Sequence, residues 1–223
     1  AEAFDWPETF FEERVWRLRR PRADVTELLE AAQAIKAAKT PLIIAGGGVH
    51  YSGACEALRS FAERHGIPVA ETQAGKSALA GDHPLNFGAI GVTGAASAND
   101  IAERADLVIA VGTRLQDFTT GSWALFKNPA CRLLCLNVAA YDAAKHDALP
   151  LVADARSGLE DLGAALGDYS APAPDAALKD SWMAAVAAVT AAPRGNDLPS
   201  DAQVIGAVQR GLDDTAVVLG AAG

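Results

Sequence analysis

Short, continuously apolar runs recur along the chain at intervals that a helix and its loops can fill: Leu42 to Ala45, Ile67 to Ala70, Leu107 to Val111, Leu133 to Leu136 and Leu151 to Ala153. A strand with one wet face alternates apolar and polar residues, so uninterrupted runs of this length predict strands buried on both faces. Helical signals fill the gaps. Asp24 and Glu27 form a D-x-x-E capping pattern ahead of the stripe Val25, Leu28, Leu29, Ala32 and Ile35, which ends before Pro41. Ala54, Leu58, Phe61 and Ala62 mark a second helix closed by Gly66. Ala98, Ile101, Ala102 and Ala105 mark a third, and Ser157 to Leu166 a fourth. Strands alternating with helices predict the α/β class: a doubly wound, parallel, six-stranded, Rossmann-like sheet covered on both faces.

At 223 residues and 50% hydrophobic content, the chain can build a packed core. No apolar run reaches the roughly 18 to 20 residues that span a bilayer, so no membrane contact is expected. The formal charge of -9 argues against a nucleic-acid partner, because a polyanion would be repelled. The basic exception is RVWRLRRPR, Arg14 to Arg22, which reads as a solvated linker or an interdomain salt-bridge strip ahead of an anion-binding surface. Cys55, Cys131 and Cys135 form a sparse, odd set without C-x-x-C, which suits a reducing cytoplasm. The β pattern of ACRLLCLN puts Cys131 and Cys135 on one strand face and predicts burial rather than metal binding.

The expected organisation is an interdomain linker over 1–23, a central domain over 24–168 and a second linker over 169–198, where YSAPAP has linker composition. A helical pattern around Trp182 to Val189, a break at PRGNDLP and a helix capped by Ser200 follow. TAVVLGAAG, Thr215 to Gly223, reads as a strand entering a glycine turn, so 199–223 is expected to be the truncated start of a second α/β domain and the chain a piece of a longer protein. The amino terminus AEAFDWPETFFEERV is acidic and lacks the apolar segment of a signal peptide, which keeps the expectation cytoplasmic.

Open parallel sheets bind ligands outside the carboxyl ends of their strands. Three glycine-bearing loops fall at that edge: Gly46 to Gly53, Gly88 to Gly94 and Gly112 to Gly121. None completes a phosphate motif, since Tyr51 stands where G-x-G-x-x-G needs its third glycine and Ala70 where a P-loop ending at Gly75-Lys76 needs its first. Glu71, 23 positions past Gly48, stands where a Rossmann acid would take a ribose hydroxyl. The alternative, that these glycines serve tight turns and close helix approach without a ligand, stays open. Arg114 and Asp117 lack a nearby base, and His50, His65, His83 and His146 are scattered without metal-ligand spacing. No G-x-S-x-G elbow occurs, so neither catalytic nor metal residues are assigned.

Taken in order, PLIIAGGGVHYSGA, GIPVAETQAGKSALAGDHPLNFGAIGVTG, ADLVIAVGTRLQDFTTG and LPLVADA resemble the central domain of thiamine-diphosphate-dependent enzymes of the acetolactate synthase group. LPSDAQVIGAVQRGLDDTAVVLGAAG resembles the entry into their pyrophosphate-binding domain. Within the group, ETQAGKSAL, GTRLQDFTTGSWALFKNP and FFEERVWRLRRPR are most similar to the branch that hydrolyses a cyclohexane-1,2-dione in myo-inositol breakdown. The resemblance implies a central fold of the NAD/FAD-binding type found in deoxyhypusine synthase (DHS-like). It also implies a carbon–carbon bond hydrolase that opens trihydroxycyclohexane-1,2-dione to 5-deoxyglucuronate, with thiamine as electron sink. Thiamine diphosphate and Mg2+ would be held by amino- and carboxy-terminal domains outside this chain, which alone would be inactive, and the full-length protein would form a homo-oligomer.

In acetolactate synthases the central domain holds FAD, and Arg114 matches a flavin-site arginine. The family loop then reads Phe-Asp-Asp-Arg, whereas this chain has Leu115, Gln116, Asp117 and Phe118, without the second arginine. FAD, another nucleotide and an empty site all stay open at this point. The residues assigned to the cofactor edge are Gly46, Gly47, Gly48, Gly91, Thr93, Gly94, Gly112, Thr113, Arg114, Asn137 and Asp154.

Overall fold

The computed structural model describes residues 5–193 and 198–213. Its centre is a six-stranded sheet of β1 (Pro41–Ala45), β2 (Val69–Glu71), β3 (Asn86–Ala89), β4 (Leu107–Val111), β5 (Arg132–Asn137) and β6 (Leu149–Val152). The spatial order is β3-β2-β1-β4-β5-β6, and every neighbouring pair is parallel. In the centre, Ile43 lies opposite Val69 on one side and Ile109 on the other. The doubly wound expectation is met, with the change of winding direction between β1 and β4.

Side chains alternate across the pleat, so each strand feeds two cores. Ile43, Ala45, Ile109, Val111, Leu134 and Leu136 point to one face, under α1 (Val25–Ala37), α3 (Cys55–His65) and α7 (Ala155–Leu166). Leu42, Ile44, Val108, Ala110 and Cys135 point to the other, with Phe87 and the small residues Ala98 and Ala102 of α4 (Ala96–Arg104). Leu178 and Trp182 pack on that second core from α8 (Ala176–Thr190), a 15-residue helix inside the stretch read as a linker.

Local chemistry explains the helix ends. The Asp24 carboxylate accepts from the N–H groups of Thr26 and Glu27 and caps α1. Glu27 does not close the capping box; its Oε2 accepts from Val152 N at 2.8 Å and ties α1 to the edge strand β6. Gly66 ends α3 in the left-handed region at φ 65°, where a side chain would be strained. Ser200 and Gln203 form a reciprocal capping box at the start of α9 (Asp201–Gly211).

Three details depart from the pattern read from sequence. Strand β2 begins at Val69 rather than Ile67. Strand β3 carries one large apolar residue, Phe87, and is fixed instead by Asn86, whose amide donates to Leu79 O and Ala80 O while its oxygen accepts from Gly88 N. Cys131 sits one residue ahead of β5, yet burial pushes its thiol up to about 11, as it does for Cys135. The run Thr215 to Gly223, expected as a strand, lies outside the described residues.

Candidate cofactor-binding edge

The loops after β1 and β4 meet at the switch point of the sheet, where open α/β folds place their ligands. After β1 the chain turns into α2 (Gly47–Tyr51), and after β4 it runs through Gly112–Arg114 to α5 (Asp117–Thr120). The first N–H groups of these loops continue the sheet's hydrogen bonding: Gly46 N donates to Val111 O, Gly48 N to Gly112 O and Gly112 N to Leu136 O, at 2.8 to 2.9 Å.

The glycines have a steric reason. A Cβ on Gly46 would lie 2.5 Å from Gly112 O, and one on Gly48 would lie 2.6 Å from Gly112 Cα. Gly112 itself has φ 61°. A Cβ on Gly47 would come 3.2 Å from the Ala74 methyl. The two loops are thus in backbone contact, and only residues without side chains permit that approach.

The loop after β3 is stapled to α5 in the same way. Gly91, at φ 121°, has Phe118 O only 2.2 Å from the place a Cβ would take, and Val92 N donates to Phe118 O. Gly94 N donates to Gly91 O, a Gly94 Cβ would meet Ala89 O at 2.7 Å, and the Asn99 side chain bonds both backbone groups of Gly91. Thr93 is exposed at the tip.

The Thr113 hydroxyl accepts from Leu115 N, and Thr113 O accepts from the Asn137 amide, whose own oxygen accepts from Ala139 N. Arg114 is exposed and makes no hydrogen bond or ion pair among the described residues. Leu115 turns the other way, 3% exposed in the core despite a φ of 47°. Asp117 opens α5, and Phe118 is exposed.

Asp154 joins more elements than any of these. Its Oδ1 caps α7 through Arg156 N and Ser157 N and accepts from the Ser52 hydroxyl at 2.6 Å, while Oδ2 accepts from Arg20 Nη1 at 2.9 Å. Burial pushes its carboxyl up, but the hydrogen bonds of Ser52 and Ser157 and the Arg20 charge outweigh that and hold it below the ordinary aspartate value. Arg20 donates in addition to Ser52 O at 2.7 Å, and Pro21 O accepts from Asp154 N at 2.9 Å. Arg22 pairs with Asp161 on α7.

Residues 18–22 therefore run as a strap over the carboxyl ends of β4 to β6, with Arg20 and Arg22 of the arginine run paired to Asp154 and Asp161 of the sheet domain itself. Ser52 was not singled out from sequence, and Arg20 only as one of a run; an isolated serine before a glycine carries no signal of its partner 102 positions away.

Beneath the strap lies a cavity of about 210 Å³, walled by Leu18 and Arg20 of the strap, Gly48, Gly112, Asn137 and Asp154. Arg114 does not line it. Glu71 is fully buried at the end of β2, where Oε1 accepts from Leu79 N at 2.9 Å and Oε2 has no hydrogen-bond partner among the described residues, with Lys76 Nζ 3.7 Å away. Its carboxylate ties the end of β2 to Leu79 in the loop that follows.

The histidines serve separate places. His65 donates from Nδ1 to Tyr169 O, His83 pairs with Glu63, His50 bonds Lys76 O and Cys55, and His146 lies against Trp123 at 4.4 Å between centroids. Among the described residues no three His, Cys, Asp or Glu side chains are grouped to hold a metal ion.

A family model described as "Thiamine pyrophosphate enzyme, central domain" matches residues 28–162, which include both glycine loops of the switch point and the Asp154 hub. The chain belongs to that family. The six-stranded parallel sheet with helices on both faces is consistent with a thiamine pyrophosphate enzyme central domain. Curated relatives extend the likeness past the family match at both ends. The chain is 41% identical over 247 aligned positions to a 3D-(3,5/4)-trihydroxycyclohexane-1,2-dione hydrolase of Geobacillus thermodenitrificans, with 100% of this chain and 38% of the relative covered. It is 42% identical to a protein of the same name from Clostridium perfringens, again over 100% of this chain and 39% of the relative. A third of that name, from Clostridium botulinum, is 49% identical over 73% of this chain and 25% of the relative. The chain thus spans under two fifths of the length of these relatives. No helix among the described residues is long and apolar enough to cross a membrane.

Proposed function

We propose that this chain is the central part of a thiamine-diphosphate-dependent hydrolase that opens trihydroxycyclohexane-1,2-dione to 5-deoxyglucuronate in myo-inositol degradation, in the cytoplasm. The observation that carries this reading is identity of 41–42% to hydrolases of that name over the whole chain, linker segments included. Thiamine diphosphate, when bound, supplies the nucleophilic carbon and the electron sink for carbon–carbon cleavage. The cofactor and its Mg2+ belong to amino- and carboxy-terminal domains beyond this chain.

This chain's own contribution is positional. The buried sheet and its stapled loops form a stiff spacer between the two thiamine domains of a homo-oligomer, with neither nucleic acid nor membrane as partner. Adding thiamine diphosphate and Mg2+ to the longer protein that contains this chain should give consumption of the dione, and the 223-residue chain alone should give none. Formation of acetolactate from pyruvate by the longer protein, without dione consumption, would overturn the assignment.

A further inference from the structure

We infer that the switch-point crevice of this domain is filled by its own linker, with Arg20 in the seat that sheets of this order offer to a dinucleotide, so that the domain carries no flavin.

A dinucleotide at this edge needs backbone N–H groups for its pyrophosphate, glycines left open for close approach, an acid at the end of the second strand for a ribose, and room. In this domain each of the four is restricted. The N–H groups of Gly46, Gly48 and Gly112 are spent on Val111, Gly112 and Leu136 carbonyls. The open sides of Gly46 and Gly48 are taken by the Gly112–Thr113 backbone at 2.5 and 2.6 Å, so these glycines serve loop contact rather than a phosphate. The Glu71 carboxylate is fully buried and engaged with Leu79 N. The remaining cavity of about 210 Å³ falls below the range of roughly 300 to 1,000 Å³ in which drug-sized ligands are held.

What closes the crevice is the strap. Arg20 spans it from Ser52 on the β1 side to Asp154 at the end of β6, and Pro21 O takes the Asp154 N–H that extends the edge ladder. The guanidinium is held there by the Asp154 carboxylate at 2.9 Å. Arg114, the residue matched to a flavin-site arginine, lies outside this cavity.

The strap carries its own reporter. Trypsin cuts after arginine but not before proline, so Arg17 and Arg19 are cleavable while the Arg20–Pro21 bond is resistant. The experiment uses the purified full chain, with FAD and then ADP titrated against flavin fluorescence and thermal unfolding, alongside limited trypsin digestion of wild type and Arg20→Ala. Extracted wild-type protein should contain no flavin, and neither nucleotide should shift its Tm. Arg20→Ala should keep its circular dichroism and be cut after Arg17 and Arg19 at least about tenfold faster, as expected when the charge-assisted hydrogen bonds of Arg20 to Ser52 and Asp154 are removed from an opening equilibrium. Should Arg20→Ala fail to fold, Arg20→Lys gives the same comparison with a smaller increase. Flavin in stoichiometric amount, a nucleotide-dependent rise in Tm, or equal cleavage rates in variant and wild type would each overturn the inference. Dione turnover is not the readout, so failure here leaves the hydrolase assignment standing and the reverse holds as well.

Discussion

Replacing Asp154 with alanine should be the most damaging single change at the carboxyl edge of the sheet. The residue is only 8% exposed and its side chain does three jobs, each with a magnitude. As the N-cap of α7 it is worth about 1 kcal/mol. As a charged acceptor for the Ser52 hydroxyl it adds about 1.5 kcal/mol. Its pair with Arg20 adds less, about 0.5 kcal/mol, because the Arg20 side chain is 41% exposed and water screens the interaction. The sum is about 3 kcal/mol, which for a chain of this size lowers Tm by roughly 6 to 12 °C. Asp154→Asn keeps the cap and an acceptor for Ser52 but loses the charge, so it should cost only about 1 kcal/mol. Urea titrations of wild type and both variants at neutral pH measure this directly through the shift in midpoint. An alanine variant within about 0.5 kcal/mol of wild type, or an asparagine variant as damaged as the alanine one, would refute the view of Asp154 as a charged hub.

Gly48→Ala should cost about 1 to 3 kcal/mol, because its Cβ would meet Gly112 Cα at 2.6 Å and backbone must move; Gly81→Ala, with nothing within 4 Å, should leave Tm unchanged. Cys135, buried with a thiol pushed up to about 11, should react with iodoacetamide at pH 8 about a hundredfold more slowly in the folded chain than in urea, as peptide mapping by mass spectrometry would show. Asp154 and Asp106 both have carboxyls held below the ordinary value, burial raising them and hydrogen bonds lowering them further, at Asp106 from Lys39 N and Thr40 N. A depressed folded-state pKa stabilises above the unfolded value near ~3.9 and loses that contribution as pH falls through the folded value. Stability from these two groups should be flat between about pH 7 and 5 and fall below about pH 4, with a shallower acid slope in Asp154→Asn.

The sheet was legible because burial on both faces leaves runs such as LVIAV with no polar interruption, and because Gly66 and Asp24 mark helix ends by local chemistry. Strand β3 was not, since Asn86 holds it by side-chain bonds to Leu79 and Ala80 that no apolar pattern encodes. The glycines of the three edge loops were read as open between ligand approach and close packing. Geometry distinguishes the two: a Cβ at Gly91 would sit 2.2 Å from Phe118 O, 27 positions away, and only the folded chain brings those residues together. Asp154 was legible as an edge residue but not as a hub, because its partners Ser52 and Arg20 are 102 and 134 positions distant.

The linker and the glycine contacts answer a single structural requirement. An open parallel sheet ends in a row of N–H and C=O groups at its carboxyl edge, and where no ligand or water takes them, burial leaves them costly. In this domain the β1 and β4 ends satisfy each other through Gly46, Gly48 and Gly112, which draws the loops together and narrows the crevice. At the β6 end Ala153 N donates to Asn137 O, and the strap adds Pro21 O for Asp154 N and the Arg20 guanidinium for the Asp154 carboxylate. A single nitrogen, Arg20 Nη1, donates to both Ser52 O and Asp154 Oδ2, at 2.7 and 2.9 Å. The segment that leads into the domain is thereby part of its fold. Any pull on residues 5–20 would be felt at the Asp154 cap and so at the first turn of α7.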